Sequence, residues 1–191
     1  MSGASLLTDR LDGPVSQSIF RVLLLTLSRP GLVMPLPIQG VGPSVIPLAL
    51  AGVESTFAVV GDPAWERRVE RATGAAVVDA ADAALVALCP PVEEGTFDRL
   101  QKGSPLAPER AAKVALGCQA LRAGQRGAIT LSISGPGVRG SAVLAVDGLS
   151  PSIFRALRPE GLQFPRGVDV WLVDERDQIT GIPRSSTIEV M

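Results

Sequence analysis

The stretch Ile129-Thr130-Leu131-Ser132-Ile133-Ser134-Gly135-Pro136-Gly137 alternates apolar and hydroxyl side chains and then runs into a turn. A period of two places Ile129, Leu131 and Ile133 on one face of an extended segment and the hydroxyls on the other, which predicts a half-buried strand. Gly135-Pro136-Gly137 ends it, because the glycines permit positive φ and the proline cannot continue a ladder. Downstream, residues 151–157 are expected to form a short helix. Residues 168–173 and 178–182 read as paired strands around the acidic turn 174–177, and residues 187–190 as a strand that closes the sheet.

Upstream of this strand the pattern changes. Asp12 followed by Pro14 is a helix start, since an acidic N-cap and an early proline both suit the orphan amides at that end. The helix should run to about Ser28 and stop before Pro30-Gly31. Val15, Ile19, Val22, Leu23 and Leu27 share one side, and Phe20, Leu24 and Leu25 widen the apolar surface, so the helix is expected to be buried on more than one side. Gln17, Arg21 and Ser28 form its narrow polar stripe. Residues 42–52 suggest another helix and residues 56–60 a buried strand. Asp62-Pro63 opens a helix with a charged face of Glu66, Arg67, Arg68, Glu70 and Arg71, which Gly74 closes. Residues 75–78 and 83–88 read as strands, and 93–100 as a helix. Residues 109–121 are ambiguous: Ala111, Ala112, Ala115 and Leu121 favour a helix by propensity, while Val114, Leu116 and Cys118 alternate like a strand. Alternating helices and strands early, with strand-rich sequence late, predict an α/β domain with a mixed sheet.

Composition narrows the chemistry. The 191 residues are 46% hydrophobic and 19% charged, with a net charge of -1, the profile of one ordinary globular domain with a single core. The apolar stretch 15–38 is broken by Arg21, Arg29 and several prolines, so no membrane span is expected there. The start, Met1-Ser2-Gly3-Ala4-Ser5, lacks a basic, apolar secretory pattern, which places the chain in the cytoplasm; residues 1–10 are expected to be flexible. No basic cluster suggests a nucleic-acid footprint. Cys89 and Cys118 are too few and too far apart for a disulfide framework or zinc motif, and are read as buried reduced thiols.

There is no histidine, tyrosine or asparagine in the sequence. That excludes a Ser-His-Asp or Cys-His relay and any His-ligated metal. The acidic pairs Glu93-Glu94 and Asp174-Glu175 adjoin polar or turn residues and read as solvated surface, so no metal site is predicted. A Schiff-base enzyme would need a buried lysine. Lys102 lies in a polar segment and Lys113 follows Glu109 and Arg110, so neither is an evident candidate.

Gly135-Pro136-Gly137-Val138-Arg139-Gly140 satisfies the Gly-x-Gly-x-x-Gly spacing after a strand. It is not read as a dinucleotide fingerprint, because no amphipathic helix follows and Glu160 lies in a Pro/Gly-rich loop. Its exposed amides could still receive an anion. Ile182-Pro183-Arg184-Ser185-Ser186 places a guanidinium and two hydroxyls at a strand end, a set suited to phosphate or phosphonate oxygens.

The order of these segments resembles the PhnH family of the bacterial carbon-phosphorus lyase system. Phe20-Arg21, Leu24 and Ser28-Arg29-Pro30-Gly31 come first, then Pro108-Glu109 and Ser134-Gly135-Pro136-Gly137. Phe164-Pro165-Arg166-Gly167-Val168-Asp169, Ile182-Pro183-Arg184-Ser185-Ser186 and Ile188-Glu189-Val190 close the series. The resemblance implies a three-layer α/β fold with a mixed sheet, related to the pyridoxal-phosphate-dependent transferases but without their cofactor site, and a homodimer. It also favours a strand within residues 114–121. It implies no cofactor and no catalytic residues, and a place beside the PhnG, PhnI and PhnJ subunits. There, with PhnL, the chain would support attachment of an alkylphosphonate to the ribose of ATP. The candidate ligand-binding set is Arg21, Gly31, Gly135, Gly137, Asp169, Arg184, Ser185 and Ser186. The contrasting reading is a stand-alone transferase or lyase that holds a phosphorylated ligand with these groups.

Overall fold

A computed structural model describes residues 11–93, 95–157 and 163–191. The expectation for residues 1–10 lies outside the described residues, as do Glu94 and Glu160.

The chain opens with α1 (Gly13–Ser28). Its N-cap Asp12 accepts from the Val15 amide at 2.8 Å, the cap that the sequence predicts. After β1 (Met34–Pro35), a 3-10 turn at Gly42–Ser44 leads into α2 (Val45–Leu50), β2 (Thr56–Val60) and α3 (Pro63–Thr73). The Asp62 side chain caps α3 by accepting from Ala64 and Trp65, and Gly74 at φ +70° ends it. β3 (Ala76–Val77), β4 (Leu85–Leu88), α4 (Thr96–Arg99), β5 (Lys113–Cys118) and β6 (Ala120–Ala123) follow. The last part of the chain holds β7 (Ile129–Ser134), β8 (Ala142–Asp147), α5 (Pro151–Leu157), β9 (Asp169–Asp174), β10 (Gln178–Ile182) and β11 (Thr187–Val190).

These strands form two sheets. The larger has the order β1-β10-β9-β5-β4-β2-β3, and the smaller β11-β7-β8-β6. In the larger sheet β3, β2, β4, β5 and β9 run parallel; β10 joins antiparallel to β9, and β1 pairs antiparallel with β10 at the edge. The predicted α/β class and mixed sheet are therefore present. The smaller sheet is antiparallel throughout.

The larger sheet is covered on both faces. Phe57, Val59, Leu85, Ala87, Ala115, Trp171, Val173 and Ile179 pack with Ile19 and Leu23 of α1, Ile46 of α2 and Val69 of α3. Alternate residues on the same strands, Val86, Leu88, Val114, Leu116, Val170 and Leu172, pack against Leu131, Ile133, Leu144 and Val146 of the smaller sheet and Phe154 of α5. Two faces mean two apolar clusters instead of the single core expected. Double coverage also explains why β4, β5 and β9 read as continuous apolar runs: with no solvated face, nothing selects for alternation.

Residues 109–121 are a short 3-10 turn followed by β5 and the start of β6, so the strand that the family resemblance favours within 114–121 is present; pairing with β4 and β9 on either side overrides alanine's helix propensity. Other expectations need correction. Residues 187–190 close the smaller sheet against β7, with Thr187 opposite Ser134. The helix expected over 93–100 is one turn, and the strand over 75–78 shrinks to two residues at the sheet edge. α1 buries Ile19, Leu23 and Thr26 on one side. The side widened by Phe20, Leu24 and Leu25 faces outward, with Phe20 47% and Leu24 52% exposed.

The outward side follows from how closely α1 approaches the sheet. A Cβ added at Gly181 of β10 would stand 2.7 Å from the Leu27 nitrogen and Thr26 carbonyl carbon, so helix backbone rests directly on this strand. The Trp171 indole also donates to the Leu23 carbonyl at 3.2 Å. These contacts fix the rotation of the helix, and only one stripe can then face the core.

Candidate functional site

The predicted ligand groups fall largely into one neighbourhood where the two sheets meet. Asp169 opens β9, and Arg184 follows the antiparallel β10, so the hairpin brings them together. The Arg184 Nη2 atom lies 2.6 Å from Asp169 Oδ2, Nε is 3.2 Å from both carboxylate oxygens, and the Arg184 amide donates to Oδ1 at 2.8 Å. The remaining terminal nitrogen, Nη1, donates to the Pro108 carbonyl at 2.6 Å. Arg184 thus ties three separated segments together.

Ser185 and Ser186 continue from this clamp towards β11. A Cβ at Gly135 would meet the Ser185 carbonyl oxygen at 3.0 Å and Ser186 Cα at 3.2 Å. The neighbouring Gly137 abuts the end of α1, where its Cβ would lie 2.2 Å from the Ser28 carbonyl oxygen, and Gly31 faces the Ala142 methyl at 2.8 Å. Gly31, Gly135, Gly137, Asp169, Arg184, Ser185 and Ser186 therefore form a connected chain of contacts. Arg21 stands apart, on exposed α1 surface seven residues before Ser28, about 10 Å along the helix axis. Sequence reading missed Pro108 and Ser28 as members of this network, because backbone carbonyls leave no side-chain signal.

The geometry favours a structural use of these groups. The guanidinium makes its fork with an internal carboxylate, and the two glycines allow backbone segments to touch. The Gly135 turn also closes on itself, with the Val138 amide donating to the Gly135 carbonyl at 3.1 Å.

Open α/β sheets usually bind ligands beyond the carboxyl ends of parallel strands, where the connections reverse direction. Here that point lies between β2 and β4, since the chain leaves β2 for the outer β3 and returns on the other side. Protein backbone fills it. The Cys89 amide donates to Val60 at 2.9 Å, continuing the ladder beyond the strands, and a Gly61 Cβ would sit 2.7 Å from the Cys89 oxygen. Asp62 already takes two first-turn amides of α3. Among the described residues, no three His, Cys, Asp or Glu side chains converge as a metal-holding group.

The family model described as "Bacterial phosphonate metabolism protein (PhnH)" matches residues 12–189. The chain belongs to the PhnH family. It is also 29% identical over 189 residues to "Alpha-D-ribose 1-methylphosphonate 5-triphosphate synthase subunit PhnH" of Rhizobium meliloti (strain 1021), covering 91% of this chain and 90% of that relative. The segments that carry the PhnH resemblance include the contact network itself: Ser28 to Gly31, Pro108, Ser134 to Gly137, Asp169, and Arg184 to Ser186. Among the described residues, no helix is long and apolar enough to cross a membrane.

The two thiols of this PhnH-family chain are free. Cys118 is buried, with its Sγ directed at the Val173 carbonyl at 3.6 Å. Burial, reinforced by Asp174, Asp147 and Glu175, pushes its pKa up to about 12. Cys89 is half-buried instead of fully enclosed, and burial with the nearby Asp62 raises it to about 11. Both are protonated near neutrality, which suppresses thiolate chemistry.

Burial opposes ionisation of Asp169, but the hydrogen bonds and charge of Arg184, with Lys113 adding to the field, hold its pKa below the ordinary value. A depressed carboxylate pKa adds stability that is fully present above the unfolded value of about 3.9 and is lost as pH falls through the lower folded value. Acid unfolding of Asp169→Asn, followed by circular dichroism, should therefore show a weaker loss of stability below about pH 4 than the parent.

Proposed function

We propose that this chain is an accessory, non-catalytic subunit of a carbon-phosphorus lyase core complex. In this reading it works beside PhnG, PhnI and PhnJ, and supports PhnG-, PhnI- and PhnL-dependent formation of a ribose 1-alkylphosphonate 5-triphosphate from ATP and a phosphonate. The observation that carries it is the family match over residues 12–189, joined by a relative whose name makes it a subunit of the corresponding synthase. The internal commitment of Arg184 to Asp169 and Pro108 supports the same reading. It leaves a stand-alone phosphate-binding enzyme without its main cation.

The proposal extends to a single cytoplasmic domain over residues 1–191, with a three-layer fold related to the pyridoxal-phosphate-dependent transferases and no cofactor of its own. Exposed ligand contacts would come from the Gly135–Gly137 turn and Ser185. A homodimer is included, with the exposed Phe20, Leu24 and Leu25 side of α1 as its face; such an apolar helix surface is suited to association.

Co-expression of the tagged chain with PhnG, PhnI and PhnJ from one host, with the mass of the purified material measured, tests this. The expected result is one stable assembly. A lone chain beside properly folded partners would overturn the subunit reading. The chain purified alone should have twice its monomer mass, and a monomer at high concentration would remove the α1 dimer.

A further inference from the structure

β11 forms an outer edge of the smaller sheet, with β7 on its one paired side. The Met191 amide donates to the Thr130 carbonyl at 2.9 Å, just beyond the last strand residue. Antiparallel ladders exchange hydrogen bonds at every second residue, so Glu189 and Thr187 also turn their main-chain groups towards β7. Those of Ile188 and Val190 point away from the sheet. Among the described residues nothing hydrogen-bonds to them on that side.

The other sheet edges are blunted. At β1 the Leu36 amide donates to the Asp177 carbonyl, which leaves Pro35 at the outward position, and proline has no N–H. β3 is only two residues long. At β6 the Leu121 amide, which points away from β8, is taken by the Asp174 carboxylate at 3.1 Å. β11 keeps both outward residues open, with one charged side chain, Glu189, between them.

The side chains define what would pair there. Ile188 and Val190 are half-buried against the core cluster on the inner face, while Thr187 and Glu189 are exposed on the outer face. The Glu189 carboxylate has no ion-pair partner among the described residues. An added strand would gain main-chain hydrogen bonds from the edge and specificity from alternate side chains. Apolar residues would lie beside Ile188 and Val190, and a lysine or arginine opposite Glu189 would complete a cross-strand charge pair. A second copy fits less well. Self-pairing that uses both open residues sets Ile188 opposite Val190 of the other copy, and Glu189 then lies opposite Glu189, like against like. Centring the pair on Ile188 sets Val190 opposite Ser186, whose amide already donates to the Pro183 carbonyl at 2.9 Å.

We propose that β11 receives an antiparallel strand from another subunit of the assembly, with the pattern apolar, Lys or Arg, apolar opposite Ile188-Glu189-Val190. The inference rests on the subunit reading above and adds the edge and the chemistry of its occupant.

Hydrogen exchange, resolved by residue, on the full chain alone and on the assembly co-expressed with PhnG, PhnI and PhnJ tests this. Alone, the Ile188 and Val190 amides should exchange far faster than those of Thr187 and Glu189; in the assembly both should be protected. Glu189→Lys should weaken retention about tenfold and Glu189→Gln less, with thermal melts unchanged. An assembly that leaves both amides fast would overturn the edge proposal and leave the subunit reading standing, whereas a parent that fails to assemble would overturn both. Protection already complete in the chain alone would assign the edge to a second copy, and undiminished retention of Glu189→Lys would remove the opposing cation. Either result overturns the proposal.

Discussion

Gly137→Ala should destabilise the folded chain by about 3 kcal/mol, combining a steric overlap with an unfavourable left-handed backbone. Gly137 has φ +86°, and its added methyl would stand 2.2 Å from the Ser28 carbonyl oxygen and 3.2 Å from Pro30 Cδ. The first neighbour is backbone at the end of α1, so it cannot rotate aside. Relief would require moving the helix terminus away from the turn after β7. The expected fall in melting temperature is roughly 6 to 12 °C for a chain of this size. Gly140→Ala is the control, since Gly140 also has positive φ, at +73°, but no atom within 4 Å of the added carbon. It should cost only about 1 kcal/mol. Equal losses for the two variants would show that backbone conformation, and not contact with α1, sets the requirement for glycine.

Arg184→Ala is expected to cost about 2 to 4 kcal/mol in urea unfolding. Removal of the guanidinium leaves the Pro108 carbonyl without this donor and Asp169 with only the Arg184 backbone amide among its Arg184 contacts. The side chains are largely buried, so water compensates poorly. Arg184→Lys should recover only part of the loss, because an ammonium cannot reproduce the planar fork that reaches the carboxylate and the carbonyl together. In a double-mutant cycle with Asp169→Ala, the combined loss should be smaller than the sum by about 2 kcal/mol. Simple additivity would mean that the pair is not coupled.

Much of the candidate site was visible as residue types but not as an arrangement. Gly135 and Gly137 announced a turn, and Arg184 with Ser185 and Ser186 announced a polar strand end. Their meeting depends on β11 pairing with β7, a contact between segments more than 50 residues apart in the chain. The assignment of Arg184 to phosphate recognition had no means of seeing Asp169 across the β9–β10 hairpin, or Pro108 a further 61 residues away. β8 also escaped notice: Ala142-Val143-Leu144-Ala145-Val146 has no alternation, and its strand conformation comes from neighbours on both sides, β7 and β6.

By itself, the sequence determined where elements start and stop and which chemistries are impossible. Asp12 and Asp62 cap helices through atoms two or three residues away, Gly74 ends one by its own backbone freedom, and the absence of histidine needs no coordinates to exclude an imidazole relay. Only the tertiary structure decided which sheet receives β11, which side of α1 remains outside, and whether Arg184 is engaged internally. The physical difference is range. Caps and turns are settled by neighbouring atoms along the chain, whereas strand pairing, helix rotation and ion pairing depend on surfaces brought together only when the two apolar clusters form.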